Sequence, residues 1–492
     1  MKSPPLSRRE FAAKSVLGLL GLGAAGLPAA RAENAVGVRG APAAARGVYR
    51  IIRHPKRLES PVGMPAGETW RYLLNTPFQL APGRAALYCN LKQSCGPGQD
   101  FEGGVDIIPF SRLAEVSADA ALPVSRQHVE PNPNLGGKPG VMAKYPGNVG
   151  FVPLGAKLPD GRPHPHAGTG FTMVVTAAWP TDRSNGYVTY PDRLGLTAYL
   201  GEKRYRTLEV RQLSYDGTAL RIGPIEKLEA EQLAPGFKFQ AGGMSSAIAD
   251  GEDLLTGVKM TRLGVAEASS GLLRWQRTGG AWRPLAYEPV TPEDNSLEPS
   301  VIRDLDGALL VSARGPRNMG PPLRVWRQAG AGAPWELKIN LNGVLPSTPV
   351  AIARAVDGTP FIMGNLYQPE FKLPASLNSD GGISRLEPVG WRGERSTICI
   401  WTLNAARDGF DAQFVARDPR SEFGLPPHGT VWAIDHPEAM PVHLADGQWH
   451  TLMGYRMLEW KENTHFIPPS PQTGAYLDEI VSFGPPAPLW NF

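Results

Sequence analysis

The sequence predicts an all-β chain, a β-propeller with loop insertions. Three observations carry that reading: a composition rich in turn residues, a hairpin unit that recurs along the chain, and a tryptophan element that alternates with it at blade spacing. Of 492 residues, 56 are Gly and 49 are Pro, 42% are hydrophobic and 20% are charged. Such a chain has too many turn residues for long helices and too many apolar ones for disorder, so it favours many short strands. No amphipathic helical pattern exceeds about three turns, and the one short helical candidate is Ile225 to Leu233. Strand-like runs recur instead at Thr207–Leu213, Leu254–Met260, Ala308–Ala313, Val350–Ala355, Thr397–Leu403 and His450–Tyr455, bounded by Gly, Pro, Asn and Asp.

The hairpin unit is clearest from Pro299 to Val311, which reads as strand, Asp306-Gly307 turn, strand. Pro349 to Phe361 echoes it around Asp357-Gly358, and a third copy runs from Pro441 through Asp446-Gly447 to Leu452. Asp-Gly readily takes the left-handed turn that matches strand twist. The second element, Leu273 to Trp282 with Arg274, Trp275 and Gly279-Gly280, resembles Leu323 to Trp335, with a looser copy from Ile400-Trp401 to Phe410. Trp275 and Trp326 stand 51 residues apart, the length of one four-stranded blade. Hairpins of that period cannot bury both faces alone, so they close radially on one another. The competing reading is a β-sandwich, in which the Arg…Gly…Trp element is not expected at blade spacing. Leu122 to His166 shows no clear strand pattern and reads as a long insertion, because Pro131-Asn132-Pro133-Asn134 and Pro163-His164-Pro165-His166 are loop sequences.

The start of the chain has a different logic. Ser7-Arg8-Arg9-Glu10-Phe11 precedes an apolar run from Val16 to Leu27 and then Ala30-Arg31-Ala32. A basic segment, a short apolar stretch and small residues before a cleavage point form an export signal, and the arginine pair makes it the twin-arginine kind. Residues 1–32 are therefore expected to be a signal peptide, residues 33–492 a single propeller domain, and the working location periplasmic or extracellular. That pathway exports folded proteins, which permits a cofactor without implying one; none is predicted. No later segment is apolar enough to span a membrane. A formal charge of +4 is small for this length and argues against nucleic acid as a partner. The three cysteines, Cys89, Cys95 and Cys399, are too few for a disulfide scaffold. Cys89 and Cys95 are spaced to close a small loop after export, and Cys399 reads as a buried small hydrophobe.

A propeller gathers the inner strands of every blade around one axis, so chemical groups far apart in sequence are considered together. Trp70-Arg71-Tyr72-Leu73-Leu74 is followed by Pro82 to Tyr88, and Asp100 stands ahead of Gly104 to Ile108. Leu297-Glu298-Pro299-Ser300 leads through Asp306-Gly307 to Val311-Ser312-Ala313-Arg314-Gly315. A separation of 16 residues puts Glu298 and Arg314 on paired strands of one hairpin. Gly454-Tyr455-Arg456 and Thr473-Gly474-Ala475-Tyr476 come last. On these four segments the chain resembles the exo-sialidases and their BNR-repeat relatives, which implies six blades.

The resemblance implies roles as well. Arg71, Arg314 and Arg456 would clamp the carboxylate of an acidic sugar, since planar guanidinium forks pair with it bidentately. A tyrosine with a pKa near 10 is a weak nucleophile, so Tyr476 would rely on Glu298 as its base, with Asp100 protonating the leaving oxygen. The activity implied is a retaining glycoside hydrolase that releases a terminal acidic sugar from a glycan without a metal, in the class that replaces a carboxylate nucleophile by tyrosine. Tyr476 as a core residue and Arg456 as a salt-bridged blade residue, with Glu459 nearby, are the alternatives for those positions. A lyase on uronate glycans, using a His or Tyr base, and a non-catalytic carbohydrate-binding propeller are the alternatives for the whole.

Other candidates stand outside that set. His164-x-His166 has metal-ligand spacing but lies among prolines and reads as a loop. His428, His436, His443, His450 and His465 cluster near the C-terminus and offer a base. Asn185-Gly186 reads as a turn. Trp432, Trp449 and Trp460 either stack on sugars or pack between blades. The chain has neither a phosphate-cradling Gly-Lys-Ser/Thr loop nor a Gly-x-Ser-x-Gly elbow.

Overall fold

In a computed structural model, residues 48–59, 61–63, 69–94, 100–126, 140–180, 206–229, 233–315, 323–340, 349–365, 397–424, 430–461, 470–482 and 484–492 are described. Nearly all are strand or turn. After β1 (Val48–Arg57), the chain builds a first blade from β2 (Thr69–Ala81), β3 (Arg84–Ser94), β4 (Asp100–Phe110) and β5 (Leu122–Arg126). The second blade has β6 (Gly140–Val152), β7 (Thr169–Pro180) and β8 (Arg206–Tyr215), with β9 (Leu220–Ile222) and β10 (Glu226–Glu229) both on β8. In the third, β11 (Phe237–Gly242) and β12 (Ile248–Asp250) share the inner edge, followed by β13 (Asp253–Arg262), β14 (Ala268–Thr278) and β15 (Ala281–Pro289).

The fourth blade comprises β16 (Leu297–Arg303), β17 (Leu309–Arg314), β18 (Leu323–Gln328) and β19 (Glu336–Asn340); the fifth β20 (Ala351–Arg354), β21 (Pro360–Gly364), β22 (Ile398–Leu403) and β23 (Phe410–Arg417). The sixth runs β24 (Thr430–His443), β25 (Trp449–Lys461), β26 (Gly474–Ser482), and its outermost strand is β1 from the start of the chain. Among the described residues pairing within blades is antiparallel, and a parallel bridge, Gly103 to Lys144, joins the first two sheets. Innermost strands touch in the order β2, β6, β11, β16, β20, β24 and back to β2. The result is a six-bladed β-propeller. No helix among the described residues is long and apolar enough to cross a membrane.

The turn chemistry explains the register. Gly251, Gly307, Gly358 and Gly447, with φ of 65°, 87°, 85° and 79°, close the hairpin between the first two strands of blades three to six. Those are left-handed angles that glycine adopts without strain. The apolar residues then divide into six layers, each shared by two neighbouring blades. One joins Ile248, Leu255 and Leu272 of blade three to Val301, Val311 and Trp326 of blade four, and another joins Ala353, Phe361 and Ile400 of blade five to Met453, Tyr455 and Tyr476 of blade six. The repeated tryptophans Trp275, Trp326 and Trp401 all sit on third strands, and each packs toward the preceding blade. Polar stitches cross the same seams: Ser300 Oγ donates to the Ile352 carbonyl and accepts from the Ile352 amide, both at 2.8 Å, and Arg407 grips Asp304 through Nε at 2.6 Å and Nη2 at 2.9 Å.

Three sequence expectations are corrected. Ile225 to Leu233 contains strand β10 instead of a helix, because Lys227 and its neighbours complete the edge of β8. Leu122 to His166 is not all insertion, since it supplies β5 and the whole of β6, the inner strand of blade two. The pattern was hidden by Pro146-Gly147, where β6 bulges, and by burial of both faces from Gly147 to Val152, which abolishes alternation. In the repeat, it is Pro437, not Pro441, that occupies the place of Pro299 in its inner-strand bulge. Cys399 is buried as expected. Cys89 is a free thiol in the core between blades six and one, where burial pushes its pKa up; Cys95 lies outside the described residues.

Blade six meets blade one where Gly454 faces Asn75, and a Cβ at Gly454 would collide with the side-chain oxygen and the carbonyl of Asn75. Asn75 Nδ2 meanwhile donates to the Tyr476 carbonyl at 3.0 Å, fixing the same seam. Gly454→Ala is expected to destabilise the fold by about 1–3 kcal/mol, the usual cost of overpacking, read as a lower denaturant midpoint with an unchanged slope.

Candidate active site

Five of the six innermost strands are interrupted by a β-bulge: at Tyr72/Leu74 in β2, Pro146/Asn148 in β6, Phe239/Ala241 in β11, Leu297/Ser300 in β16 and Asp435/Glu438 in β24. Bulges bend a strand and re-aim its side chains. In β16 and β24 the inserted pair ends in proline, Glu298-Pro299 and His436-Pro437, and proline brings no N–H to the ladder. Glu298 and His436 both hold φ at 51°, a left-handed angle unusual for a side-chain-bearing residue. Such angles cost of order 1–3 kcal/mol and persist where the surroundings over-determine them.

The register around the two bulges is the same. Leu297 pairs with Arg314 just ahead of the first, and Asp435 pairs with Arg456 just ahead of the second. Arg314 reaches Glu298 with Nε 2.7 Å from Oε2 and Nη2 donating to Oε1 at 3.0 Å. Arg456 grips Asp435 through Nε and through Nη2, the latter at 3.2 Å. Both arginines are buried, and the carboxylates differ: Glu298 keeps 23% of its side chain exposed, Asp435 only 1%. His436 Nδ1 lies 2.7 Å from Asp435 Oδ1, at an angle too bent for a straight hydrogen bond. Burial pushes the His436 pKa down to about 4; Asp435 opposes this, Arg456 adds to it, and the Glu298 carboxylate acts on the imidazole from blade four. Glu298–Arg314 and Asp435–His436–Arg456 thus occupy matching places on the inner and second strands of blades four and six.

The other expected site residues fall at the same end of their blades, opposite the hairpin turns. Arg71 is half-buried on β2, just ahead of that strand's bulge. Asp100 opens β4 and pairs with Ser94; the placement of its side chain lies outside what is described. Tyr476 is placed less simply. Its hydroxyl donates to the Gln472 carbonyl at 2.6 Å, and its ring stacks on Tyr455 at 5.6 Å within the layer between blades five and six. Arg417 lies over both rings, at 5.2 Å and 5.6 Å, and pairs with Glu422 at 2.8 Å. The two alternatives weighed for Tyr476 and Arg456 both describe real contacts: one ring is in the core and one guanidinium is salt-bridged, to Asp435.

Sequence reasoning passed over Asp435, Arg417 and the buried carboxyl Glu438, and left His436 among five histidines. The only available signal was the Pro following His436. The remaining candidates are structural. His164 bonds the Gly251 carbonyl through Nε2 and accepts the His166 amide at Nδ1, so neither nitrogen is left for a metal. Among the described residues no group of three or more His, Cys, Asp or Glu could hold a metal ion. Trp432 is buried and donates to Gly424, and Trp449 stacks on Phe492 at 5.8 Å. His428, His465, Asn185 and Gly186 lie outside the described residues, as does the side chain of Trp460.

No protein-family model matches the chain, and no curated protein matches it in sequence. Solved structures similar to it include a variant of the NanB sialidase from Streptococcus pneumoniae, 8% identical with a TM-score of 0.49 over 87% of this chain and 71% of that one. A leech intramolecular trans-sialidase is 10% identical with a TM-score of 0.44, over 84% and 68%. A Penicillium chrysogenum α-L-arabinanase is 11% identical with a TM-score of 0.43, over 89% and 99%. At such identities and scores, what this chain does has to be argued from its own residues.

Glu438, two residues after His436, accepts a hydrogen bond from Thr76 Oγ1, and burial pushes its pKa up to about 8. A carboxyl whose pKa is raised by folding stabilises the protein below its ordinary range near 4.5, and that contribution is lost as pH rises through about 8. Thermal unfolding followed from pH 5 to pH 9 should therefore show a loss of stability toward alkaline pH. Glu438→Gln, neutral at every pH, is expected to flatten it.

Proposed function

We propose that the chain is a sialidase-like propeller glycoside hydrolase, exported by the twin-arginine route, that releases a terminal acidic sugar from a glycan. The observation that carries the reading is the Glu298–Arg314 ion pair on the bulged inner edge of blade four, matched by a second arginine–carboxylate pair at the equivalent place in blade six. A guanidinium has five N–H donors, so a carboxylate already bound does not exhaust it. Arg314 and Arg456, with Arg71, would hold the sugar carboxylate while staying charged at any working pH.

In the proposed first step the Tyr476 oxygen bonds to the anomeric carbon as its proton passes to Glu298, and the glycosidic oxygen leaves with a proton from Asp100. Water then attacks the same carbon, returning its proton to Asp100, while the released phenolate recovers the proton held by Glu298. Tyr476 has to give up its bond to the Gln472 carbonyl to enter this sequence.

Purified mature protein should be assayed on fluorogenic sialosides and on a panel of uronate glycans. Glu298→Gln is expected to lower kcat by about 10²–10⁴-fold, and Arg314→Lys, which keeps charge but loses the fork, to raise KM. Tyr476→Phe should abolish turnover. If Tyr476→Phe is active and Glu298→Gln is not, water attacks directly and the product inverts. Full activity in both variants overturns the site, and an unsaturated uronide product assigns it to elimination instead.

A further inference from the structure

The two bulges are the same device carrying different chemistry. In each, an inner strand inserts a residue at φ 51° followed by proline, opposite a second strand whose arginine pairs with the residue just ahead. Blade four puts a carboxylate in the inserted position. Blade six moves its carboxylate one residue back, to Asp435, and puts an imidazole there instead. Left-handed backbone at a histidine is costly, and core packing does not ask for it: an apolar residue in a regular strand would fill the space without strain. Resting on the glycosidase reading, we infer that His436 is a substrate-contacting residue of the same site, a neutral imidazole that accepts a hydrogen bond from a hydroxyl of the bound sugar.

The surrounding charges fix how it does so. Asp435 on β24, Arg456 on β25 and Glu298 on β16 are the ionisable groups that act on the ring. A carboxylate can only accept, so the ring proton belongs on Nδ1, 2.7 Å from Asp435 Oδ1. Nε2 then carries the lone pair. With 16% of its side chain exposed, the ring is enclosed yet open to a ligand. Arg456 would hold the sugar acid while His436 takes a neighbouring hydroxyl, a division that a second arginine could not provide, because guanidinium has no acceptor.

The test is histidine footprinting of the folded protein with diethyl pyrocarbonate, which acylates neutral imidazole, read by peptide mass spectrometry with and without free sialic acid or galacturonic acid. His436 should remain reactive at about pH 5, where ordinary histidines are protonated, and one of the sugar acids should protect it. Alongside, His436→Leu should lose about tenfold in kcat/KM, mostly in KM, the range for one lost hydrogen bond. His436→Gln, which restores an acceptor, should recover most of it. Equal labelling with and without both sugars, or a His436→Leu variant that matches wild type, overturns the inference. If the wild-type protein cleaves no glycan, the glycosidase reading fails separately, and protection of His436 alone decides the matter.

Discussion

Everything in this molecule depends on the fact that a single blade has two apolar faces and nothing of its own to cover them. Each of the six apolar layers is built mainly by two neighbouring blades. Burial at roughly 25 cal/mol per Å² makes every layer strongly favourable, but only if no blade is left at an end. The ring removes the ends, and the pairing of β1 with β26 completes the sixth sheet with a strand from the other end of the chain. Seam contacts such as Ser300 with Ile352 and Asn75 with Tyr476 then set the angle between blades.

Closure also explains why a site forms near the axis. Inner strands must converge, and convergence leaves little room for regular pleating, so bulges appear in β2, β6, β11, β16 and β24. Where the bulge meets an arginine on the next strand, that arginine pairs with a carboxylate at or beside the bulge. Buried pairs of this kind are weak evidence for stability, since desolvation offsets much of their attraction. Their value is placement, because a charge locked in a water-poor setting needs no reorganisation when a ligand charge arrives.

The fold was legible because its signals are local: Asp-Gly turns report hairpins one at a time, and Trp275, Trp326 and Trp401 mark the third strand of successive blades. Glu298 with Arg314 was legible for the same reason, being two ends of one hairpin. The rest required register. Asp435 and Arg456 are paired across β24 and β25, but an extra residue in the bulge shifts the spacing, and the eye aligns Pro441 with Pro299 when Pro437 is its counterpart. Strand β6 was lost because Pro146 and Gly147 look like a loop. Arg417 could not be anticipated from sequence, since only the packing of blade five on blade six brings it to Tyr455 and Tyr476.

The strand that seals the ring has a kinetic consequence. Ile51 pairs with Ile480, so the sixth sheet stays incomplete until the last part of the chain has left the ribosome. Contacts between such distant positions carry a large loop-closure entropy and form late. Until then β1 has no partner, and an unpaired strand is the kind of surface that recruits other strands. On the twin-arginine route proposed above, which carries folded proteins, the ring would have to close before the chain travels.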